Sequence, residues 1–178
     1  MPCVAFFTFG IMREPKGHPQ VQGFFTVDGA VFAAARSSPG FIDGRGFVTD
    51  HSTNPPAGRR DLYPAAVTAP ECHPPQASTL SLWQSLEAVF GFAYHGIHAE
   101  ALRQRKEWFV KPAWPVYAAW WVEDGDTPSW EEAMARLDHL HQHGSTPQAF
   151  DFKAPFDAAG NPTTMAPTAT RTLERSHA

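Results

Sequence analysis

Cysteine is almost missing from this chain of 178 residues, which has only Cys3 and Cys72. Two thiols are too few for a disulfide framework, and their spacing fits no metal-binding pattern. They read as reduced thiols in a cytosolic protein. Charge is also scarce, at 18% of residues, with a formal net charge of -4. No basic stripe or polybasic run is present, which argues against a nucleic-acid partner and against an anionic membrane surface. The apolar runs are short and broken by glycine, proline or charge, so none reaches the length of a membrane span. A basic stretch followed by an apolar core is not legible at the N-terminus, so the expected location is cytoplasmic. A glycine-rich phosphate loop, a Walker sequence, a Ser-His-Asp order and a paired-carboxylate signature are all missing. Most common enzyme classes therefore have no foothold here.

Aromatic residues and proline are plentiful instead. Aromatics make up 13% of the chain, with six Trp and fourteen Phe, and there are seventeen Pro. So much aromatic surface has to be buried, and the prolines belong in turns and loops.

The run Cys3 to Met12 reads as a buried strand. Val21 to Arg36 fits a helix that gathers Phe24, Phe25, Val31, Phe32 and Ala35 on one face, weakened by Gly29. Ser37 to Gly40 stops it. Phe41 to Val48 is a second strand whose glycines suggest a bulge or a close approach. Residues 49–76 carry many prolines and no helical period, so they read as a long loop ordered over the sheet. Ser78 to Trp83 alternates as a third strand. Ser85 is an N-cap for a helical stretch reaching about Val110, with a break near Gly96. Val116 to Val122 is a fourth strand, with Trp120 and Trp121 on opposite faces. Thr127-Pro128 reads as an N-cap with proline after it, and Ser129 to His143 as a helix ended by Gly144. Ala149 to Phe156 reads as a last strand, and residues 157–178 as a frayed tail.

This order predicts one α+β domain over residues 1–156, a ferredoxin-like split βαβ sheet with a C-terminal helix and strand added. Such a sheet has an open face. A second copy packing sheet against sheet would cover it, so a homodimer is expected.

The stretch from Phe90 to Phe109 carries the chemistry. Counted as one helix at about 100° per residue, Tyr94, His98, Arg105 and Trp108 fall within about 40° of a common line. Glu100, Arg103, Lys106 and Glu107 fall opposite. An arginine on an apolar face needs acceptors. Either Arg105 and His98 are buried, paired structural groups, or they face a cavity where Arg105 holds an anion or carbonyl and His98 moves a proton or ligates. His139 and His143 are spaced to share a metal ion, but they sit on the solvated side of their helix, so no metal is expected. His73 beside Cys72 has nothing to orient it. Trp83, Trp108, Trp114, Trp120 and Trp121 either fill a core or wall an aromatic small-molecule pocket.

Several spaced segments resemble an uncharacterised family of the antibiotic-biosynthesis-monooxygenase-like superfamily. They are Trp83 to Ala88, Phe92-Ala93-Tyr94, His98, Leu102, Arg105, Glu107-Trp108-Phe109, Trp120-Trp121-Val122, Gly125, Pro128, Glu132-Ala133, Arg136-Leu137, Gly144, Thr146-Pro147 and Ala149-Phe150. The resemblance spans Leu80 to Phe156, with Gly23-Phe24 and Gly40-Phe41 before it. It implies a dimeric α+β barrel. It also implies relatives that oxygenate polyketide-like aromatics without a cofactor, and others that bind haem through a helical histidine. Ser145, Glu123 and Asp126 depart from the family pattern.

Three readings follow. In the first, the protein is a cytoplasmic, biosynthetic, oxidoreductase-like enzyme with no cofactor. It carries out monooxygenase-like, proton-transfer or cyclisation chemistry on a hydrophobic carbonyl compound. His98, Arg105 and Tyr94 would be catalytic, and Trp83, Trp108, Trp120 and Trp121 would bind substrate. In the second, His98 is the axial ligand of a haem. In the third, the chain is a non-catalytic binding or structural dimer.

Overall fold

The computed structural model describes residues 1–49, 63–65 and 75–165. Nine residues from Cys3 to Ile11 form strand β1, and nearly all of them are buried. A strand apolar on both sides has to lie at the centre of a sheet covered on both faces. Helix α1 (Gln22–Arg36) follows, then β2 (Phe41–Thr49), β3 (Gln76–Trp83), helices α2 (Leu86–Tyr94) and α3 (Gly96–Trp108), β4 (Tyr117–Val122) and helix α4 (Trp130–His143). The strands form one antiparallel sheet in the order β2-β3-β1-β4. That order is the ferredoxin-like plan read from the sequence.

One face carries Val4, Phe6, Trp83 and Ala119 and packs against Ala35 of α1 and Leu86, Val89 and Ala93 of α2. The other carries Cys3, Ala5, Phe7, Phe9, Leu80, Leu82, Ala118 and Trp120, and packs against Trp130, Ala133, Met134, Leu137 and Leu140 of α4. We call these the first and second faces. The second face is the one expected to need a partner's sheet. Here α4, Trp114 and Tyr63 lie against it within the chain, so burial of this face does not by itself call for a second copy.

Local signals set the helix ends. The Ser85 hydroxyl accepts from the Ala88 N–H at 3.2 Å and starts α2. The helical stretch breaks where the sequence places it: His95 is extended and Gly96 takes φ +55°, a conformation glycine adopts without a Cβ clash. The N-cap of α4 is Ser129, not Thr127, because the Ser129 hydroxyl accepts from Glu132 N–H at 3.1 Å. Glu131 and Glu132 in the first turn complement the helix dipole.

Two C-terminal expectations need correction. Ala149–Phe156 is not a strand. Phe150 alone pairs with the edge of β4, exchanging two 2.9 Å hydrogen bonds with Ala119. Asp151 then turns the chain by accepting from the N–H groups of Lys153 and Ala154 at 2.9 and 3.2 Å, which removes the following residues from the ladder. Nor does a frayed tail begin at Asp157. Its carboxylate accepts from the N–H of Ala159 at 3.0 Å and of Asn161 at 2.8 Å, and Phe156 bridges Pro162. Most of the expected 49–76 loop and residues 166–178 lie outside the described residues.

Candidate functional site

The break between α2 and α3 leaves the last carbonyls of α2 without helical partners. His98 uses one of them: its Nδ1 lies 2.7 Å from the Ala93 carbonyl. Only a hydrogen on Nδ1 bonds to a carbonyl, so the neutral ring has its lone pair on Nε2. Burial pushes the His98 imidazole below its ordinary pKa, while the Ala93 bond pulls the other way. The ring lies 4.8 Å from that of Phe92. Phe92 stacks on Trp83 at 5.2 Å, and Trp83 meets Phe41 edge-on at 5.1 Å. His98 is thus held by a carbonyl and by a string of aromatic rings.

Below this string the first face changes character. Register places Tyr117 opposite Thr8, and Thr8 opposite Thr79, in one row across β4, β1 and β3. The two threonine hydroxyls are 2.7 Å apart. Ser81, two residues from Thr79, accepts from the Trp83 indole N–H at 2.9 Å. Thr8, Thr79, Ser81 and Tyr117 are all half-buried, although β1 and β3 are the two central strands. The helices therefore do not seal the sheet at this level. Helix α3 packs on α1 and α2 more than on the strands. The Tyr117 hydroxyl accepts from the Phe152 N–H at 3.2 Å. Burial is the main cause that raises its pKa, and the neighbouring Tyr94 hydroxyl adds to it.

Helix α1 supplies one more group. Phe24 packs on Trp108 and Phe109, with ring centroids 5.9 and 5.4 Å away. Phe32 lies against Gly46, where an added Cβ would come within 2.8 Å of the ring. Asp28 stands one turn from each, on the same helical face. It is half-buried, and burial raises its carboxyl pKa. The sequence reading passed over Asp28. The available signal was a carboxylate placed between Phe24 and Phe32 at helical spacing.

The structure disperses several residues that the sequence brings together. Because the helix breaks, Tyr94 belongs to α2 and does not share a stripe with His98 and Arg105. It is exposed, with its ring 4.7 Å from Phe90 and 6.0 Å from Phe152. Arg105 is exposed, and its guanidinium donates to the Leu102 carbonyl of its own helix. It is not a buried ion-pair partner. Trp83 and Trp121 lie on the first face, Trp121 donating to the Phe156 carbonyl at 2.7 Å. Trp120 is fully buried on the second face under Arg136. Trp108 sits at the far end of α3. These four indoles do not wall one space.

His139 Nε2 is 2.8 Å from the Thr146 hydroxyl, and its ring is 4.6 Å from His143. Among the described residues no three His, Cys, Asp or Glu side chains converge as metal ligands. Cys72 and His73 lie outside the described residues. A shallow groove of about 340 Å³ beside Trp121 is walled by Glu123, Asp126 and Glu132. Its one cation, Arg136, is already held by Glu132 at 3.0 Å and by the Gln148 carbonyl at 2.7 Å.

A family model described as "Domain of unknown function (DUF3291)" matches residues 3–166, and the chain belongs to that family. No curated protein matches it. Solved structures that are distantly similar in shape include the following three. A protein of unknown function from Nitrosomonas europaea, NE2512, has 9% identity and a TM-score of 0.44, covering 72% of this chain and 97% of its own. Rv0793 from Mycobacterium tuberculosis has 12% identity and a TM-score of 0.43, covering 72% and 100%. SnoaB, a cofactor-independent oxygenase from Streptomyces nogalater, has 11% identity and a TM-score of 0.41, covering 71% and 97%.

Proposed function

We propose that this member of a family with no assigned activity is a small-molecule enzyme working by proton transfer, with its site between the first face of the sheet and helix α3. The observation that carries this reading is the row Tyr117, Thr8 and Thr79, hydroxyls left half-open in the middle of a sheet face that is otherwise packed. Thr8 and Thr79 bond to each other and Tyr117 accepts from the Phe152 N–H, and each hydroxyl keeps further hydrogen-bonding capacity that a ligand with carbonyl or hydroxyl groups would use. The surrounding Phe92, Trp83 and Tyr94 favour a hydrophobic, aromatic substrate. His98, with Nδ1 on the Ala93 carbonyl and its pKa lowered chiefly by burial, would act through Nε2 as the base for a carbon acid next to a carbonyl. Removing that proton is the common first step of cyclisation and of monooxygenase-like chemistry on such compounds. Arg105 has no part in this version of the site.

The test is a thermal-shift screen with planar hydroxyaromatic ketones and quinones. Wild type should be stabilised by members of the panel. Thr79→Val should lose the shift, and Trp120→Phe on the second face should keep it. A panel with no binders, or binding indifferent to Thr79, would remove this reading.

One observation favours a second reading. An imidazole whose Nδ1 donates to a carbonyl is oriented to ligate a metal through Nε2. His98 is the residue that would hold a haem iron, and the group would bring redox chemistry with it. Hemin titration separates the readings. A sharp Soret band lost in His98→Ala supports haem, whereas weak hemin binding indifferent to His98 leaves the cofactor-free site.

A further inference from the structure

Helix α1 is apolar along one line except at a single place. Val21, Asp28 and Ala35 follow one another at intervals of seven residues, which on a helix turns each only about 20° from the last. Val21 is fully buried and Ala35 is buried, whereas Asp28 between them is half-buried. Phe24 and Phe32, one turn to either side of Asp28, are half-buried as well. The helix is thus seated at its two ends and open in its middle, where it carries a carboxylate. Among the described residues no hydrogen bond or ion pair reaches that carboxylate, and burial is the one cause that moves its pKa.

The sheet is small-sided and open in the same region. Gly46 of β2 stands opposite Thr79 of β3, and Thr79 opposite Thr8 of β1, so the row of hydroxyls ends at a residue with no side chain. The Phe32 ring lies on Gly46. Two residues beyond Thr8, on the same face, Gly10 pairs with Ala77. The Phe109 ring lies on Gly10, 2.7 Å from where a Cβ would be, and Phe109 meets Phe24. The rings on either side of Asp28 are therefore tied to two neighbouring rows of the first face. Thr8, Gly10, Ala77 and Thr79 are all half-buried there, although they belong to the central strands.

We infer that the carboxylate of Asp28 faces this strip of sheet and accepts a hydrogen bond from a hydroxyl on the ring of the bound substrate, so that the site selects phenol-type compounds. This rests on the site proposed at Thr79 and adds what that site chooses. An ionised carboxyl has no hydrogen to give, so a donor on the ligand is what satisfies it. Such a bond is charge-assisted and stronger than one between neutral groups. The methyl ether of the same compound offers no hydrogen and leaves the carboxylate without a partner, a mismatch that polar sites reject strongly. Phe24 and Phe32 supply apolar walls for the ring that carries the hydroxyl. The strip below holds hydroxyls and no further carboxylate, which suits a neutral donor better than a cation.

Isothermal titration calorimetry on the full chain tests this with hydroxytetralones and hydroxyanthraquinones, each beside its methyl ether. Wild type should bind the free hydroxyl compounds about tenfold or more tightly than the ethers. Asp28→Asn, which keeps the shape and removes the charge, should lose part of that preference, and Asp28→Leu all of it. Thr79→Val should weaken phenol and ether alike and leave their ratio unchanged. A preference that survives in Asp28→Leu, or equal affinity of wild type for phenols and ethers, would overturn the inference and leave the site at Thr79 standing. Tighter binding of benzylamines than of phenols, lost in Asp28→Leu, would also overturn it, by making the carboxylate a cation site. If neither phenols nor ethers bind wild type, or their binding ignores Thr79, the proposed site fails and the role of Asp28 in it fails too.

Discussion

If α4 closes the second face of the sheet, truncating its central buried leucine must be expensive. Leu137 is 1% exposed, in the middle of the stripe Trp130, Ala133, Met134, Leu137 and Leu140 that lies on β1 and β4. Leu137→Ala removes three carbon groups, a transfer loss of about 2.4 kcal/mol at ~0.8 kcal/mol each. The hole left behind adds about 1–2 kcal/mol at ~24 cal/mol per Å³ for a cavity of roughly 40–80 Å³. The total is about 3.5–4.5 kcal/mol, within the range seen for such changes. For a chain of this size that corresponds to a fall in Tm of roughly 10 °C. Urea unfolding followed by circular dichroism gives the free energy, and a thermal melt gives Tm. A loss below about 1 kcal/mol would refute the reasoning. It would mean that α4 rests only loosely on the sheet and that the second face is free for another occupant.

Two further predictions concern pH. The folded His98 pKa is lowered, chiefly by burial, so the unfolded chain takes up this proton first as pH falls. Its contribution to stability is complete above about pH 6.5 and declines below that until the folded imidazole also titrates, after which it is level. Urea midpoints from pH 8 to 5 should therefore fall more steeply for wild type than for His98→Gln, and parallel curves would contradict the assignment. Asp28 has the opposite sign, because burial raises its folded pKa. Its protonated form suits the fold, and stability is lost as pH rises through that raised value. Asp28→Asn should accordingly raise Tm at pH 7, with the difference shrinking toward pH 4. A destabilised Asn variant at pH 7 would show instead that the carboxylate has a favourable partner.

Much of the architecture was legible because its signals are local. Ser85 as a cap, Gly96 as a break and the opposed Trp120 and Trp121 each follow from a few neighbouring residues, and the strand and helix order follows from them. What failed was an inference that crossed one of those signals. The stripe joining Tyr94 to His98 and Arg105 assumed one helix axis, and the turn at His95 and Gly96 divides it. The row of Tyr117, Thr8 and Thr79 was invisible for a different reason. It exists only through strand register, and a shift of one residue would have turned the same side chains to the other face. The choice of sheet face for α4 is likewise tertiary. Its apolar stripe was readable, but not what it lies against. The C-terminal strand failed because alternating Phe150 and Phe152 mimic a ladder, while Asp151 between them is engaged in a turn.

The short pairing between Phe150 and β4 has a consequence for how many copies could join. A sheet with one unsatisfied side can add one strand along that side and no more. A sheet with both sides unsatisfied has no stopping point, and each addition presents a new end. Two hydrogen bonds to Ala119 place Phe150 across the outer edge of β4 at one point, where an incoming strand would have to displace it. A chain ending at Gly144 would keep its four strands and most of its core, yet its second side would be exposed. Its fate would be decided by arithmetic of ends rather than by loss of the fold.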